Sequence, residues 1–550
     1  MNNLYSIFNI LFGEFIKKNT RHFILYVICI LFSYPIETIV IPTLYGKVFD
    51  IVKDVSKLFD LKVLFVMILL CWAISRIASC GITYLQSYIV PNYYMYFRTY
   101  LYKNILEKYK KEFKQVDTSD IIIKSIEIPA CSKDLLLQMV EKIIPMSISI
   151  CFIIGYLLYT SRKLGIVALV AVIFVILSII YQQGDCSTKF IKSYEYYKKV
   201  NEVLNDKLQN MLSIYTSSTI NKEIDNNENV EYLYKTKDTI SMLCVANMKA
   251  LIIFISIMTY AILLFQNYTE FRQGKYLSGI FIANMMIITD FLGFIESIAN
   301  EIPMISYNCS VLKNEMKYIQ FISDNTPSHE IVDNQIIKSG HISFKNIVFG
   351  YSDKKKIFDN FNLEIQPNTT LAVIGKSGSG KSTLIKLLLG FYNIESGVIK
   401  IDGHNIDDLD VNILRSSISY VNQNTTLFKD TTIANIKYGT TATNKDVEDA
   451  ISQYELWDIF NSLENKLQTN VGVLGNNLSG GQKQIIIILR ALLNKNSHIL
   501  LMDEPTSAVD IDHKKIIMNL IKKIKTKTII LITHDENIMN DVDKVIYIGQ

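Results

Sequence analysis

The residues with the clearest chemistry form an octapeptide, Gly375-Lys376-Ser377-Gly378-Ser379-Gly380-Lys381-Ser382. Its glycines let a loop turn so that several backbone N–H groups point at one anion. A helix-forming run from Leu384 to Leu389 follows and adds the positive end of its dipole, and an apolar, strand-like run from Leu371 to Ile374 precedes it. This is a P-loop pattern: Lys381 is expected to reach the β- and γ-phosphates of a nucleotide, and the Ser382 hydroxyl to bind Mg²⁺. Adjacent carboxylates, Asp503 and Glu504, end the apolar run 499–502. Asp503 is placed for Mg²⁺ and Glu504 for the attacking water. Gln423 follows the strand-like run 418–421, where a metal or water contact is expected, and His534 follows the apolar 529–532. Leu478-Ser479-Gly480-Gly481-Gln482 opens an apolar helix over 483–493, and its free N–H groups make a second anion site.

These residues need elements that bring them together. In open parallel sheets ligands bind at the carboxyl edge of the strands, so an α/β domain with its polar residues gathered at that edge is expected. A polar, proline-containing stretch begins at Ser323, and we read 323–340 as a linker ahead of a phosphate-binding domain over 341–550.

Residues 1–322 read differently. The 550-residue chain exceeds one ordinary domain. Its mean hydropathy of +0.22, with 49% hydrophobic and 20% charged residues, suits one apolar part joined to one soluble part. Six apolar segments, each of roughly 20 residues, lie near 23–44, 63–86, 140–160, 164–182, 248–266 and 277–299. The third and fourth are joined only by Thr160–Lys163, hence an antiparallel hairpin. Lys17, Lys18 and Arg21 place the N-terminus in the cytosol by the positive-inside rule, and an even number of spans returns the chain to the same side. The stretches 87–139 and 183–247 are then cytosolic helical extensions, with short crossing helices expected at about 118–134 and 212–223.

Residues 1–21 carry no cleavable signal pattern; Leu4, Ile7, Phe8, Leu11, Phe12 and Phe15 fall on one helical face, suited to the membrane interface or to packing on protein. Glu37, Arg76 and Asp290 lie at membrane depth, where an unpaired charge is costly. They pair with one another or face cargo, whereas Glu141, Lys142 and Glu296 suit the interface. Asn267-Tyr268-Thr269 is a weak glycosylation sequon. The 8 cysteines all precede the P-loop, without CxxC or zinc spacing, and are expected to be reduced packing residues. A net charge of +4 without a long basic block gives no sign of nucleic-acid binding.

The order of Gly375–Ser382, Gln423, Leu478–Gln482, Asp503-Glu504, Ser507–Asp510 and His534 resembles the nucleotide-binding domain of an ATP-binding cassette (ABC) transporter. Six spans with two long cytosolic extensions resemble a type I exporter half-transporter, so the resemblance covers essentially the whole chain. It implies an all-α six-helix transmembrane domain followed by an α/β P-loop ATPase domain, with ATP and Mg²⁺ as ligands. It further implies that Tyr351 stacks on adenine, that Lys381, Ser382 and Thr383 hold phosphate and Mg²⁺, that Gln423 couples the metal site to the spans, and that His534 contacts the γ-phosphate. The 478–482 signature would close over ATP bound to a second chain, with Asp510 in a dimer-contact loop. Export by alternating access is the expected function. Import, lipid flipping and ATP gating without transport remain alternatives, and the cargo is unread.

The sequence departs from the family in four places. Val473 and Leu474 stand where exporters usually have charge, so altered communication with the crossing helices is expected. Ile485, Ile487 and Leu489 replace the usual Arg, Ala and Ala; Pro505 and the segment 533–535 look more like importer cassettes; and the family's terminal strand and helix do not follow Val545–Ile548.

Overall fold

The computed structural model describes residues 9–52, 58–111, 118–323, 337–352, 355–376, 378–423, 426–507, 509–534 and 541–549. Leu4, Ile7 and Phe8, most of the 323–340 linker, Ser377, Ala508 and Asp535 lie outside them. The chain divides into two compact units, Met1–Leu106 with Val116–Asp324 and Glu107–Gln115 with Asn325–Gln550.

Among the described residues of the first unit, six helices are long and apolar enough to cross a membrane: α1 (Thr20–Val52), α2 (Phe59–Lys110), α3 (Asp120–Thr160), α4 (Arg162–Gln209), α6 (Ile220–Arg272) and α7 (Ser278–Asn314). A short α5 (Met211–Thr216) joins α4 to α6. At about 1.5 Å per residue, helices such as α2, α4 and α6 run well beyond a hydrocarbon core of about 30 Å, so the extensions are helical rather than loops. They are tied by buried charge: Lys198 bonds Glu315 at 3.0 Å, and Lys124 bonds Asp120 at 2.6 Å and faces Glu315 at 3.7 Å.

Several local features depart from expectation. The stretch 118–134 is not a separate crossing helix but the opening of α3, kept helical through Pro129 by burial of Ile128, Cys131 and Leu135. The second crossing element is shorter than 212–223, because α6 already starts at Ile220. Leu11, Phe12 and Phe15 are buried and Phe12 and Phe15 pack on Tyr93, each with ring centroids 5.2 Å away, so this face meets protein. Cys186 of α4 and Cys244 of α6 form a disulfide, correcting the expectation that all cysteines are reduced. The cause is tertiary: α4 and α6 lie side by side, which a separation of 58 residues conceals. The Asn267 side chain is fully buried and bonded to Phe281 O, Tyr276 and Asn284, which leaves the sequon no free amide to modify.

The charges at membrane depth separate into a pair and a single residue. Arg76 binds Glu37 at 2.5 Å, beside a π-helical stretch, Ile36–Val40, that follows Pro35. Proline removes a backbone donor, and such bulges are a usual response to it. Asp290 has no ion-pair partner among the described residues. Closer to the end of α1, Asp50 accepts hydrogen bonds from the Ser278 hydroxyl at 2.8 Å and the Gly279 N–H at 2.7 Å, capping α7. Gly46 and Gly279 let the backbones of α1 and α7 touch, since a Cβ on Gly46 would lie 2.3 Å from Gly279 O.

Among its described residues the second unit holds two sheets. One is antiparallel, in the order β2-β1-β4-β5, built from β1 (Ile342–Ser352), β2 (Lys355–Ile365), β4 (Ser396–Ile401) and β5 (His404–Asn405). The other is parallel, in the order β6-β7-β8-β3-β9, built from β3 (Thr370–Ile374), β6 (Ile418–Val421), β7 (Ile499–Asp503), β8 (Thr528–Ile532) and β9 (Lys544–Tyr547). The inner strands β3, β7 and β8 are buried along their whole length and largely apolar because both faces are covered, whereas the edge strand β9 starts at an exposed Lys544. Alternation divides them: Ile499, Leu501, Ile530 and Ile532 face a core with β1 and β2. Leu500, Met502, Ile529 and Leu531 face a helical core that includes Ile485 to Leu489. That helix is buried on nearly every side, which accounts for its apolar departures from the family pattern.

Candidate nucleotide site

Every strand of the parallel sheet that the sequence reading used delivers its polar residue at the carboxyl edge. β3 runs into the P-loop, and α8 (Lys381–Leu388) starts at Gly380, whose φ of +100° is left-handed and favours glycine. Gly375 is needed for space: a Cβ there would lie 2.4 Å from Ile548 O. Lys381 is 6% exposed, and its ammonium donates to the carbonyls of Gly375 at 2.8 Å and Lys376 at 3.0 Å, inside its own loop. Burial lowers its pKa, an effect opposed by the carboxylates of Glu504 and Asp503. The Ser379 hydroxyl is buried and has no hydrogen-bond partner among the described residues. A loop whose Ser379 hydroxyl has no partner among the described residues and whose cation bonds its own carbonyls fits an anion such as a nucleotide phosphate.

On β7, Asp503 accepts a hydrogen bond from the Ser382 hydroxyl at 3.2 Å. Burial raises the Asp503 pKa and this hydrogen bond opposes the rise. One carboxylate, one hydroxyl and the Gln423 amide are a hard-oxygen donor set suited to Mg²⁺, which keeps waters and phosphate oxygens for its other positions. The next residue, Glu504, has a φ of +48°, a strained value for a non-glycine residue. Its two oxygens are both engaged: Gln423 Nε2 donates to Oε2 at 2.7 Å, and His534 Nε2 lies 2.8 Å from Oε1. Three strands, β6, β7 and β8, thus meet through their end residues at one carboxylate.

Tyr351 is 51% exposed, and its hydroxyl bonds the Thr383 hydroxyl at 3.0 Å, which puts the ring beside the P-loop helix. Phe349 and Tyr392 meet that ring edge-on, each with centroids 5.2 Å away. Tyr392 was not singled out in the sequence, where the Phe391-Tyr392 pair after a helix gives no signal for a ligand.

The signature is built separately. Ser479 caps α9 (Gly480–Leu493): its hydroxyl accepts from Gln482 N at 3.2 Å, and Gln482 Oε1 accepts from Ser479 N at 3.0 Å. Gly481 packs on His513, since a Cβ there would lie 2.5 Å from the imidazole. Asp510 caps α10 (Ile511–Lys523) through His513 N at 2.9 Å and binds the His513 ring at 2.8 Å. These hydrogen bonds from His513 hold the exposed Asp510 carboxyl below its usual range. Leu478–Gln482 and Asp510 are therefore neighbours, but among the described residues the signature shares no hydrogen bond with the P-loop. Close by, Val473 and Leu474 are each 57% exposed on a short 3₁₀ turn, with Leu474 at a φ of +54°. This turn presents apolar side chains, not charge.

Residues 358–507 match the ABC transporter family. The chain is 36% identical over 263 residues to the mitochondrial iron-sulfur clusters transporter ATM1 of Debaryomyces hansenii, covering 47% of this chain and 38% of that protein. It is 40% identical over 209 residues to an ATP-dependent lipid A-core flippase of Saccharophagus degradans, covering 38% of this chain and 36% of that protein. The matched part thus spans well under half the length of these relatives. A solved bacterial Atm1-family ABC exporter with ATP bound superposes with a TM-score of 0.85 at 20% identity, covering 96% of this chain and 93% of the other. With residues 358–507 matching the ABC transporter family behind six apolar helices, the chain has the fold of that solved ABC exporter.

Proposed function

We propose that this chain is one half of an ATP-driven exporter that works as a dimer, with a second copy or a homologous chain as partner. The observation that carries the reading is the meeting of Gln423, Glu504 and His534 beside Lys381, Ser382 and Asp503 at one sheet edge. Lys381 exchanges its loop carbonyls for the β- and γ-phosphates, and the unpartnered Ser379 hydroxyl gains an acceptor. Ser382, Asp503 and Gln423 would hold Mg²⁺, which would supply positive charge to offset that of the nucleotide phosphates. Glu504 accepts the proton of the attacking water, Gln423 reports the metal site to its surroundings, and His534 turns from Glu504 to the γ-phosphate. Tyr351 offers a ring face to adenine.

The separate signature, which among the described residues has no acceptor for its Gly480 and Gly481 N–H groups and no hydrogen bond to the P-loop, supports closure over ATP held by the partner, head to tail. Two complete sites then need two chains. Closure moves the helices from inward to outward access, with the N-terminus and cassette in the cytosol. Glu37 and Arg76 neutralise each other, which leaves Asp290 as the charge at membrane depth best placed to meet cargo.

Direction is tested in sealed vesicles with cassettes outermost and ATP outside. A panel holding a labelled lipid A analogue and an iron–sulfur cluster complex, the cargos named for the two relatives, is offered to each side. ATP-dependent movement away from the cassette side is the expected result. Movement toward the cassettes would identify an importer.

A further inference from the structure

We propose that Lys527, which no nucleotide motif includes, is a positioning residue for ATP hydrolysis. It pins the far end of the signature helix to the strands that deliver Gln423 and His534.

Its placement is unusual for a lysine in a Lys-Thr-Lys-Thr stretch that reads as a solvated turn. Lys527 is 7% exposed, and its ammonium donates to Ala491 O at 3.2 Å, Asn494 O at 2.9 Å and the Ser497 hydroxyl at 3.1 Å. It forms no ion pair among the described residues, so backbone carbonyls and a hydroxyl compensate for its burial. Ala491 lies in the last turn of α9, and the chain leaves the helix at Asn494 with extended backbone, φ −73° and ψ 93°. The last carbonyls of a helix have no partners within it, and they form the negative end of its dipole. Lys527 supplies both a donor and a positive charge there, from a point 33 residues beyond Asn494.

A second arm comes from β6. The Ser419 hydroxyl lies 3.0 Å from Ala491 O and 2.8 Å from the Ser497 hydroxyl. Ser419 stands four residues before Gln423, and Lys527 seven before His534, just ahead of β8. The buried clasp thus ties three elements at the end opposite the nucleotide. Two of them carry Gln423 and His534 to Glu504, and the third carries Ser479 and Gly481 on its other end, about 20 Å away at 1.5 Å per residue.

The consequence rests on the head-to-tail reading above. Each cassette holds ATP with its own P-loop and closes the partner's site with its own signature. Both sites close together when the signature turn, held at a defined base on α9, reaches its place over the partner's ATP. Lys527 fixes the base of α9, so its loss leaves nucleotide binding by one cassette intact and impairs closure and turnover.

The test uses the full chain in lipid nanodiscs, comparing Lys527→Met, Lys527→Arg and Lys527's partner variant Ser419→Ala. Affinity is read with a fluorescent ATP analogue without Mg²⁺, and kcat and KM from phosphate release. For Lys527→Met we expect nucleotide affinity within about twofold of the unmodified protein and kcat lower by about tenfold, with Lys527→Arg recovering most of it. Wild-type turnover by Lys527→Met, or affinity falling in step with kcat, would overturn the proposal. If Lys527→Met does not fold, Ser419→Ala decides: a smaller kcat loss at unchanged affinity supports the clasp, and full turnover refutes it. Loss of Glu504 dependence in the unmodified protein would instead count against the proposed function.

Discussion

Full-length protein carrying Glu504→Gln is expected to bind ATP and to lose about 10²- to 10⁴-fold in turnover, the range for removing a positioned general base. The substitution is nearly isosteric and keeps the backbone at its φ of +48°. An amide oxygen can still accept from Gln423, now 2.7 Å from Oε2, so the three-strand meeting point survives. What is lost is an anionic oxygen able to take a proton from water. Phosphate release measured beside nucleotide binding separates the two effects. Unchanged turnover would remove Glu504 from the role of base.

Removal of the P-loop cation acts one step earlier. Lys381→Ala is expected to weaken ATP binding by about 2–5 kcal/mol, as truncating one partner of a buried charge pair does. Among the described residues the Lys381 ammonium bonds the carbonyls of Gly375 and Lys376, so its loss leaves those two acceptors unsatisfied. The cassette should therefore stay folded. Titration with ATP, followed by thermal unfolding of the same sample, checks both statements. Undiminished affinity would mean that the phosphates bind elsewhere.

Much of this arrangement was legible in the chain itself because it depends on local pattern. Glycines at fixed offsets, apolar runs of strand length and a polar residue after each run identify the P-loop, Asp503-Glu504 and the position of His534. Strand order then brings them to one edge, which parallel topology makes a general outcome. The six apolar helices follow from length and composition in the same way.

What escaped depends on partners far away in the chain. Nothing near Cys186 points to Cys244, and nothing near Lys527 points to Ala491. The local sequence leaves Glu37 and Arg76 free either to pair or to face cargo, and it is the contact between α1 and α2 that pairs them. Helix boundaries failed where packing overrode local signals, as in α3, which runs through Pro129 because its apolar face is buried. The sequon at Asn267 failed for a related reason: three residues specify a motif but not whether its side chain is already engaged.

The central claim, that ATP is hydrolysed in sites shared between two chains, is tested most directly by mixing two inactive variants. Lys381→Ala disables a chain's own phosphate cradle, and Ser479→Arg blocks the signature that it offers to its partner. In a head-to-tail dimer a mixed pair carries both defects in one site and neither in the other. Equal mixing makes half the dimers mixed, with half their sites intact, so the account predicts recovery of about a quarter of normal turnover for independent sites. Activity no greater than that of the two variants measured separately would contradict it.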